Sequence, residues 1–81
     1  MSAVKNAVVE RIKQLCKEQD IKINALANRA GITPSSLYSL LDPSRSNVSI
    51  ILIKELCDGL NVTLGEFFSC EIFDNLEQEI K

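Results

Sequence analysis

The stretch Leu26-Ala27-Asn28-Arg29-Ala30-Gly31-Ile32-Thr33-Pro34-Ser35-Ser36-Leu37-Tyr38-Ser39-Leu40-Leu41 decides the fold. Ile23, Leu26, Ala27 and Ala30 lie at helical spacing over barely two turns, and Gly31 follows where a left-handed residue closes a helix. Thr33 then offers a side-chain oxygen to cap a new helix, and Pro34 takes its first position, where a missing N–H is no loss. Leu37, Leu40 and Leu41 form the buried side of that helix and leave Ser35, Ser36, Tyr38 and Ser39 largely outward, until Asp42-Pro43 ends it.

A helix stopped by glycine and followed within two residues by a new N-cap is the helix-turn-helix layout, whose second helix can enter a DNA major groove. Short αα-hairpins with glycine also occur in proteins that never touch DNA, so spacing alone leaves both readings open.

Working outward, Val4, Val8, Ile12, Leu15 and Cys16 predict an amphipathic helix over 4–19. Residues 42–48 read as a polar loop. Ser49 caps a fourth helix with the stripe Ile50, Ile53, Leu56, Cys57 and Leu60, which stops at Asn61. Thr63 and Glu66 form a T-x-x-E capping box that opens a fifth helix with Leu64, Phe67 and Phe68. The residue before each proposed cap and the one five later are both apolar, as a hydrophobic staple requires: Ile21/Leu26, Ile32/Leu37, Val48/Ile53 and Val62/Phe67. No run alternates with period two for long enough to compete, so the expected class is all-α. In the tail, Ile72, Phe73, Leu76 and Ile80 share one helical face over 71–80 amid Glu71, Asp74, Glu77 and Glu79, which makes room for a short C-terminal helix.

The 81 residues suffice for one core, since a chain this small buries only about 60% of its unfolded surface. With 46% hydrophobic and 25% charged residues and a mean hydropathy of +0.07, a folded globular domain is expected rather than a disordered one. No apolar run approaches the roughly 18 residues of a membrane span, and no signal-peptide pattern opens the chain, so a cytoplasmic location is expected. The chain contains no histidine, which excludes Ser-His-Asp and Cys-His nucleophilic systems and an imidazole zinc site. Cys16, Cys57 and Cys70 are odd in number and lack CxxC spacing, so reduced, mostly buried thiols are expected, without a metal or a disulfide framework. No glycine-rich phosphate loop or recognisable carboxylate pair is present either, and the expectation is a non-enzyme with no cofactor and no small-molecule substrate.

The net charge of −2 hides an asymmetry. Residues 1–54 carry eight basic side chains against Glu10, Glu18, Asp20 and Asp42, a surplus of +4, whereas residues 55–81 carry Lys81 against seven acids, a deficit of −6. A basic working surface with an acidic far end fits this distribution, although solvated helix faces produce similar counts.

The stretch 26–41 resembles the Cro/phage-repressor-like helix-turn-helix family (XRE type). So does Ile53-Lys54-Glu55-Leu56-Cys57-Asp58-Gly59-Leu60-Asn61-Val62-Thr63-Leu64-Gly65-Glu66-Phe67-Phe68, which is similar to the family's fourth and fifth helices. The similarity spans residues 8 to 69, and both stretches together are far more specific than either alone. It implies a compact five-helix lambda-repressor-like DNA-binding domain over residues 1–69, with 70–81 as an acidic amphipathic tail. Such domains usually act as dimers on a two-fold operator, so double-stranded DNA and a second copy are the implied partners.

Carried over position by position, the family's base-reading residues fall on Pro34, Ser35 and Ser39, with Ser36 and Tyr38 flanking. Relatives often place Gln or another long polar side chain where Pro34 and Ser35 stand. Proline has no side-chain donor and serine can contact any base, so the resemblance implies modest base discrimination, with Tyr38 and Arg45 more important than usual. The implied backbone contacts are Lys22, Ile23, Thr33, Ser44, Arg45, Ser46, Asn47 and Ser49, at the N-termini of the helices and in the loop after the recognition helix. Ile23 stands where relatives commonly carry a polar residue, which removes a side-chain contact. An arginine–glutamate pair of many relatives falls on Cys16 and Leu41, an exchange of a buried ion pair for packing that is often neutral or stabilising.

The seryl face could equally be a solvated helix surface, Arg45 an idle loop cation near Asp42, and Tyr38 a ring packed on the preceding helix. Ile51 lies opposite the fourth helix's buried stripe and Leu52 at its edge, next to the loop, so both are candidate dimer or partner contacts. The tail residues Ile72, Phe73, Leu76 and Ile80 could cover their own core or pair with another subunit, and the family habit favours pairing. The expected function is a transcriptional regulator that represses by occlusion. The rival is a protein-interaction or antitoxin-like module on the same fold, with a second protein as partner.

Overall fold

The computed structural model describes residues 3–45 and 47–77. It contains α1 (Ala3–Gln19), α2 (Ile23–Ala30), α3 (Pro34–Leu41), α4 (Ile50–Leu60), α5 (Leu64–Phe68) and α6 (Glu71–Asp74), with no strand among the described residues. Ser46 and Ile80 lie outside them.

One three-residue turn is used three times. Asp20, Gly31 and Asn61 adopt left-handed φ values of 54°, 71° and 60° and close α1, α2 and α4. The next residue, Ile21, Ile32 or Val62, donates its N–H back to Cys16 O (2.8 Å), Ala27 O (3.1 Å) or Cys57 O (3.0 Å), the reach-back bond of a Schellman closure. That same apolar residue packs on the core and starts the staple of the following helix. All eight staple residues belong to the core or pack against it. The caps follow: Thr33 Oγ1 accepts from Ser36 N, Ser49 Oγ from Ile51 N and Leu52 N, and Thr63 and Glu66 close their capping box in both directions.

The core gathers Val8, Ile12, Leu15 and Cys16 of α1, Leu26 and Ala27 of α2, Leu37 and Leu40 of α3, Ile53, Leu56, Cys57 and Leu60 of α4, and Phe67 of α5. Cys16 is buried and Leu41 packs at the core's edge, in keeping with a packing role for both. Burial pushes the Cys16 and Cys57 thiols up, which makes them poor nucleophiles. α2 and α4 approach closely at Gly59, where a Cβ would stand 2.9 Å from Ala30 N.

α1 supplies polar closure as well as apolar surface. Gln19 Nε2 donates to Leu60 O at the end of α4 (2.7 Å). Arg11 donates from Nε to Phe67 O and from Nη2 to Glu66 O at the end of α5, both at 2.8 Å. Lys5 Nζ donates to Asp42 O just past α3 (3.0 Å) and to Arg45 O. Carbonyls at a helix C-terminus lack partners inside the helix, and three side chains of α1 supply donors at three such ends.

Three local expectations need correction. Ile50, placed on the buried stripe of α4, is 57% exposed, because as the first helical residue it precedes the turn that faces the core and Val48 packs there instead. Val4, at the head of the α1 stripe, is also partly exposed. The helix expected over 71–80 ends at Asp74, with Asn75 in a bridge conformation (φ −92°, ψ 6°). Glu71 and Asp74 leave this four-residue helix without a basic residue in its last turn. Phe73 turns inward, its ring centroid 4.9 Å from that of Phe68 and 5.9 Å from that of Phe67.

Candidate nucleic-acid interface

The outward face of α3 carries Pro34, Ser35, Ser36 and Tyr38, all exposed, with Ser39 half-buried beside them. Leu37 and Leu40 are buried and Leu41 packs at the core's edge, which fixes this orientation. Ser36 is not an unattached hydroxyl: its Oγ bonds Thr33 Oγ1 at 2.9 Å while its N–H donates to the same oxygen at 3.2 Å. Tyr38 is 53% exposed, and its hydroxyl donates to Asn24 Oδ1 of α2 at 3.1 Å. The phenol thus joins the two helices of the motif without being buried by them. Ser35 is the plainest hydroxyl on this face. No long donor capable of a bidentate base contact is among these α3 residues, which limits base discrimination.

Two further elements flank that face in sequence. The N-terminus of α2 is capped by Lys22 with no side-chain hydrogen bond, so the first-turn N–H groups of Ile23, Asn24 and Ala25 have no side-chain cap. Lys22 is exposed, whereas the Ile23 side chain packs against the core, leaving its backbone N–H as the group it can offer outward. Exposed N–H groups at a helix start with a lysine beside them suit an anion.

The second element is the loop after α3. Asp42 Oδ1 accepts from Ser44 N (2.9 Å) and Ser44 Oγ (2.8 Å), an Asx-type turn. The Ser44 N–H, then its hydroxyl, hold the Asp42 carboxyl below its ordinary value against the opposing effect of desolvation, with weaker help from the attraction of Arg45 and Lys5. Arg45 Nε lies 3.7 Å from Asp42 Oδ2 with two-thirds of its side chain exposed. This is a loose surface pair of little energetic weight, so the guanidinium can take a phosphate instead. Asn47 and Ser49 are exposed, and Ser49 Oγ, which accepts from α4, keeps its own hydrogen to donate.

The basic surplus of the first 54 residues is not all surface. Lys5 is buried, Arg11 is committed to the end of α5, and Lys54 pairs with Asp58. Lys13, Lys17, Lys22, Arg29, Arg45 and Lys54 remain exposed, Arg45 beside Asp42 and Lys54 beside Asp58.

The sequence of these elements, a glycine-closed helix, a proline-started helix with a polar outer face and a capped fourth helix, is that of a known family of DNA-binding domains. A profile of the Cro/C1-type HTH DNA-binding domain matches residues 11–72. The chain belongs to the Cro/C1-type helix-turn-helix family. The match runs from within α1 to within α6, so it includes both flanking elements and the recognition helix. The fold is also that of the prophage Lp1 protein 11 crystal structure, with a TM-score of 0.82 and 22% identity, over 94% of this chain and 100% of that one. No curated protein matches the sequence significantly.

Cro/C1-type membership implies DNA as a partner, and such domains are typically not enzymes. No helix among the described residues is long and apolar enough to cross a membrane. Away from the α3 face, Ile51 is 70% exposed and Leu52 half-buried at the start of α4. Ile72 and Leu76 are half-buried along a groove with Ala3, Asn6, Ala7 and Glu10 of α1, while Phe73 belongs to its own domain's aromatic cluster.

Two residues that matter here escaped the sequence reading. Asn24 pairs with Tyr38 from fourteen positions away, a separation that local spacing does not register. Lys5 did leave a signal, because it stands three residues before Val8 on the buried stripe, a lone cation on an apolar face.

Proposed function

We propose that the protein is a sequence-specific transcriptional regulator that binds duplex DNA as a homodimer and represses by occlusion. α3 enters the major groove, and Ser35, Ser39 and Tyr38 meet base edges there, with Pro34 and Ser36 shaping the entry. Lys22, Ile23, Thr33, Ser44, Arg45, Ser46, Asn47 and Ser49 meet phosphates through hydroxyls, backbone N–H groups and two cations. The observation that carries this reading is the exposed polar face of α3, set between the N-terminus of α2, which lacks a side-chain cap, and a loop bearing the exposed Arg45. Ile72 and Leu76, with Ile80, would supply the contact between copies.

Binding of a duplex at about 50 and 200 mM salt, compared with Arg45→Ala, tests the reading. The variant should bind more weakly, with the slope of log K against log salt reduced by about one. An unchanged slope would remove Arg45 from the interface, and no wild-type binding at low salt would refute the reading. Leu76→Asp should yield monomers in sedimentation if the tail joins the copies, and an unaltered dimer would refute that contact.

A second reading is favoured by the adjacent exposed isoleucines Ile50 and Ile51: a module that binds another protein, antitoxin-like, through the start of α4 with Leu52. A stoichiometric protein partner, weak DNA affinity, and loss of that partner in Ile51→Asp would establish it.

A further inference from the structure

We propose that Lys5 is a positioning residue for DNA binding: from the far end of the chain it fixes the loop that presents Arg45 to the phosphates. The proposal rests on the DNA-binding reading and adds to it a residue that touches no DNA.

Lys5 is 3% exposed, the one charged side chain buried among the described residues. It lines a cleft with Val4, Val8, Asn47, Val48, Ile53 and Phe68, apolar but for Asn47, and its Nζ reaches two backbone carbonyls, Asp42 O at 3.0 Å and Arg45 O. These acceptors lie 37 and 40 residues away in sequence and bracket the turn after α3. The other hydrogen bonds of residues 42–45 among the described residues are local, joining Asp42 N to Ser39 O, Ser44 to Asp42 and Arg45 N to Asp42 O. Among the described residues, Lys5 therefore supplies the long-range hydrogen bonds of the segment.

Burying an ammonium costs desolvation, and a methionine would fill the same largely apolar cleft without that cost. The charge earns a role only through what its donors hold. Held at both ends, the turn offers the Arg45 guanidinium and the neighbouring N–H groups in one arrangement, so less conformational freedom is lost when a phosphate arrives. Released, the loop samples many arrangements and Arg45 contributes little to binding. The two residues are then energetically coupled although one of them never meets the ligand.

The test is a double-mutant cycle on the full chain, reading duplex affinity at about 50 and 200 mM salt with folded fraction checked by circular dichroism. Lys5→Met should fold and bind the selected duplex about tenfold more weakly, and Arg45→Ala in that background should cost less than half of what it costs in the wild type, with little further change in salt slope. A purely structural Lys5 would lower the melting temperature yet leave the Arg45→Ala effect and slope unchanged at matched folded fraction, and that additivity would overturn the proposal. If Lys5→Met does not fold, Lys5→Gln, whose uncharged amide keeps two N–H donors on a shorter stem, is judged by the same criterion. A wild-type chain that binds no duplex would overturn the DNA reading itself. A wild-type chain that binds, with additive variants, would overturn the positioning role alone.

Discussion

Gly59→Ala places two effects of known size in opposition. The substitution gains helix propensity of about 1 kcal/mol in the interior of α4. The added Cβ would stand 2.9 Å from Ala30 N, 3.1 Å from Ala30 Cα and 3.2 Å from Ala30 Cβ, against an ordinary contact that begins at 3.4 Å, so a gap of 0.5 Å must open. The obstructing atoms are mainly backbone, in the last residue of α2 just before the left-handed Gly31, and no rotamer change can move them. Relief requires α2 and α4 to separate at their closest approach, and overpacking of this kind costs about 1–3 kcal/mol. The clash wins, with a net loss of roughly 1 kcal/mol and a melting temperature lower by about 4–8 °C for a domain of this size. Urea unfolding followed by circular dichroism should show a lower midpoint with an unchanged m value. A midpoint equal to or above the wild type would refute the close approach, and with it the packing that sets α2 and the start of α3.

Asp42 predicts a pH dependence. Its folded-state carboxyl is held below the ordinary value of 3.8, so the stability it contributes is complete above that value and is lost as pH falls through the folded-state value. The Ser44 and Arg45 amide resonances should therefore titrate with a midpoint under 3.8, and a midpoint at or above it would contradict the Asx turn. Arg11→Met removes the donors to Glu66 O and Phe67 O and should cost roughly 1–2 kcal/mol in denaturant unfolding, the midpoint shift being the readout. Phe73→Ala should cost about 2 kcal/mol, less than the roughly 3–5 kcal/mol of a fully buried phenylalanine. A loss of oligomer with no loss of stability would instead assign that ring to an interface.

Several helix boundaries were legible because they fall at residues of restricted conformational use: Gly31 and Asn61 at left-handed positions, Thr33, Ser49 and Thr63 as caps, Pro34 at a first helical position. Periodicity worked where a helix faces the core along its length and failed at the ends. Ile50 and Val4 match their stripes yet lie at the first turn, where a residue on the correct face can still overhang the core's edge. The tail was legible only in part, for a different reason. Ile72, Phe73, Leu76 and Ile80 fit a helical face, but the competing gain of stacking Phe73 on Phe67 and Phe68 is a tertiary effect that no local pattern contains. At the candidate interface, residue types on α3 could be read directly, whereas the fates of the cations could not. Lys5 and Arg11 counted toward a basic surface until the fold committed them to carbonyls 37 to 56 residues away.

The central claim, that the α3 face and its flanking loop read duplex DNA, is tested most directly by selecting bound fragments from a randomised duplex library at about 50 mM salt and remeasuring the enriched duplex at about 200 mM. The account predicts a recovered two-fold site with modest preference at each base and a steep fall in affinity between the two salts. A bound pool with the sequence composition of the input, or negligible binding at the lower salt, would contradict it.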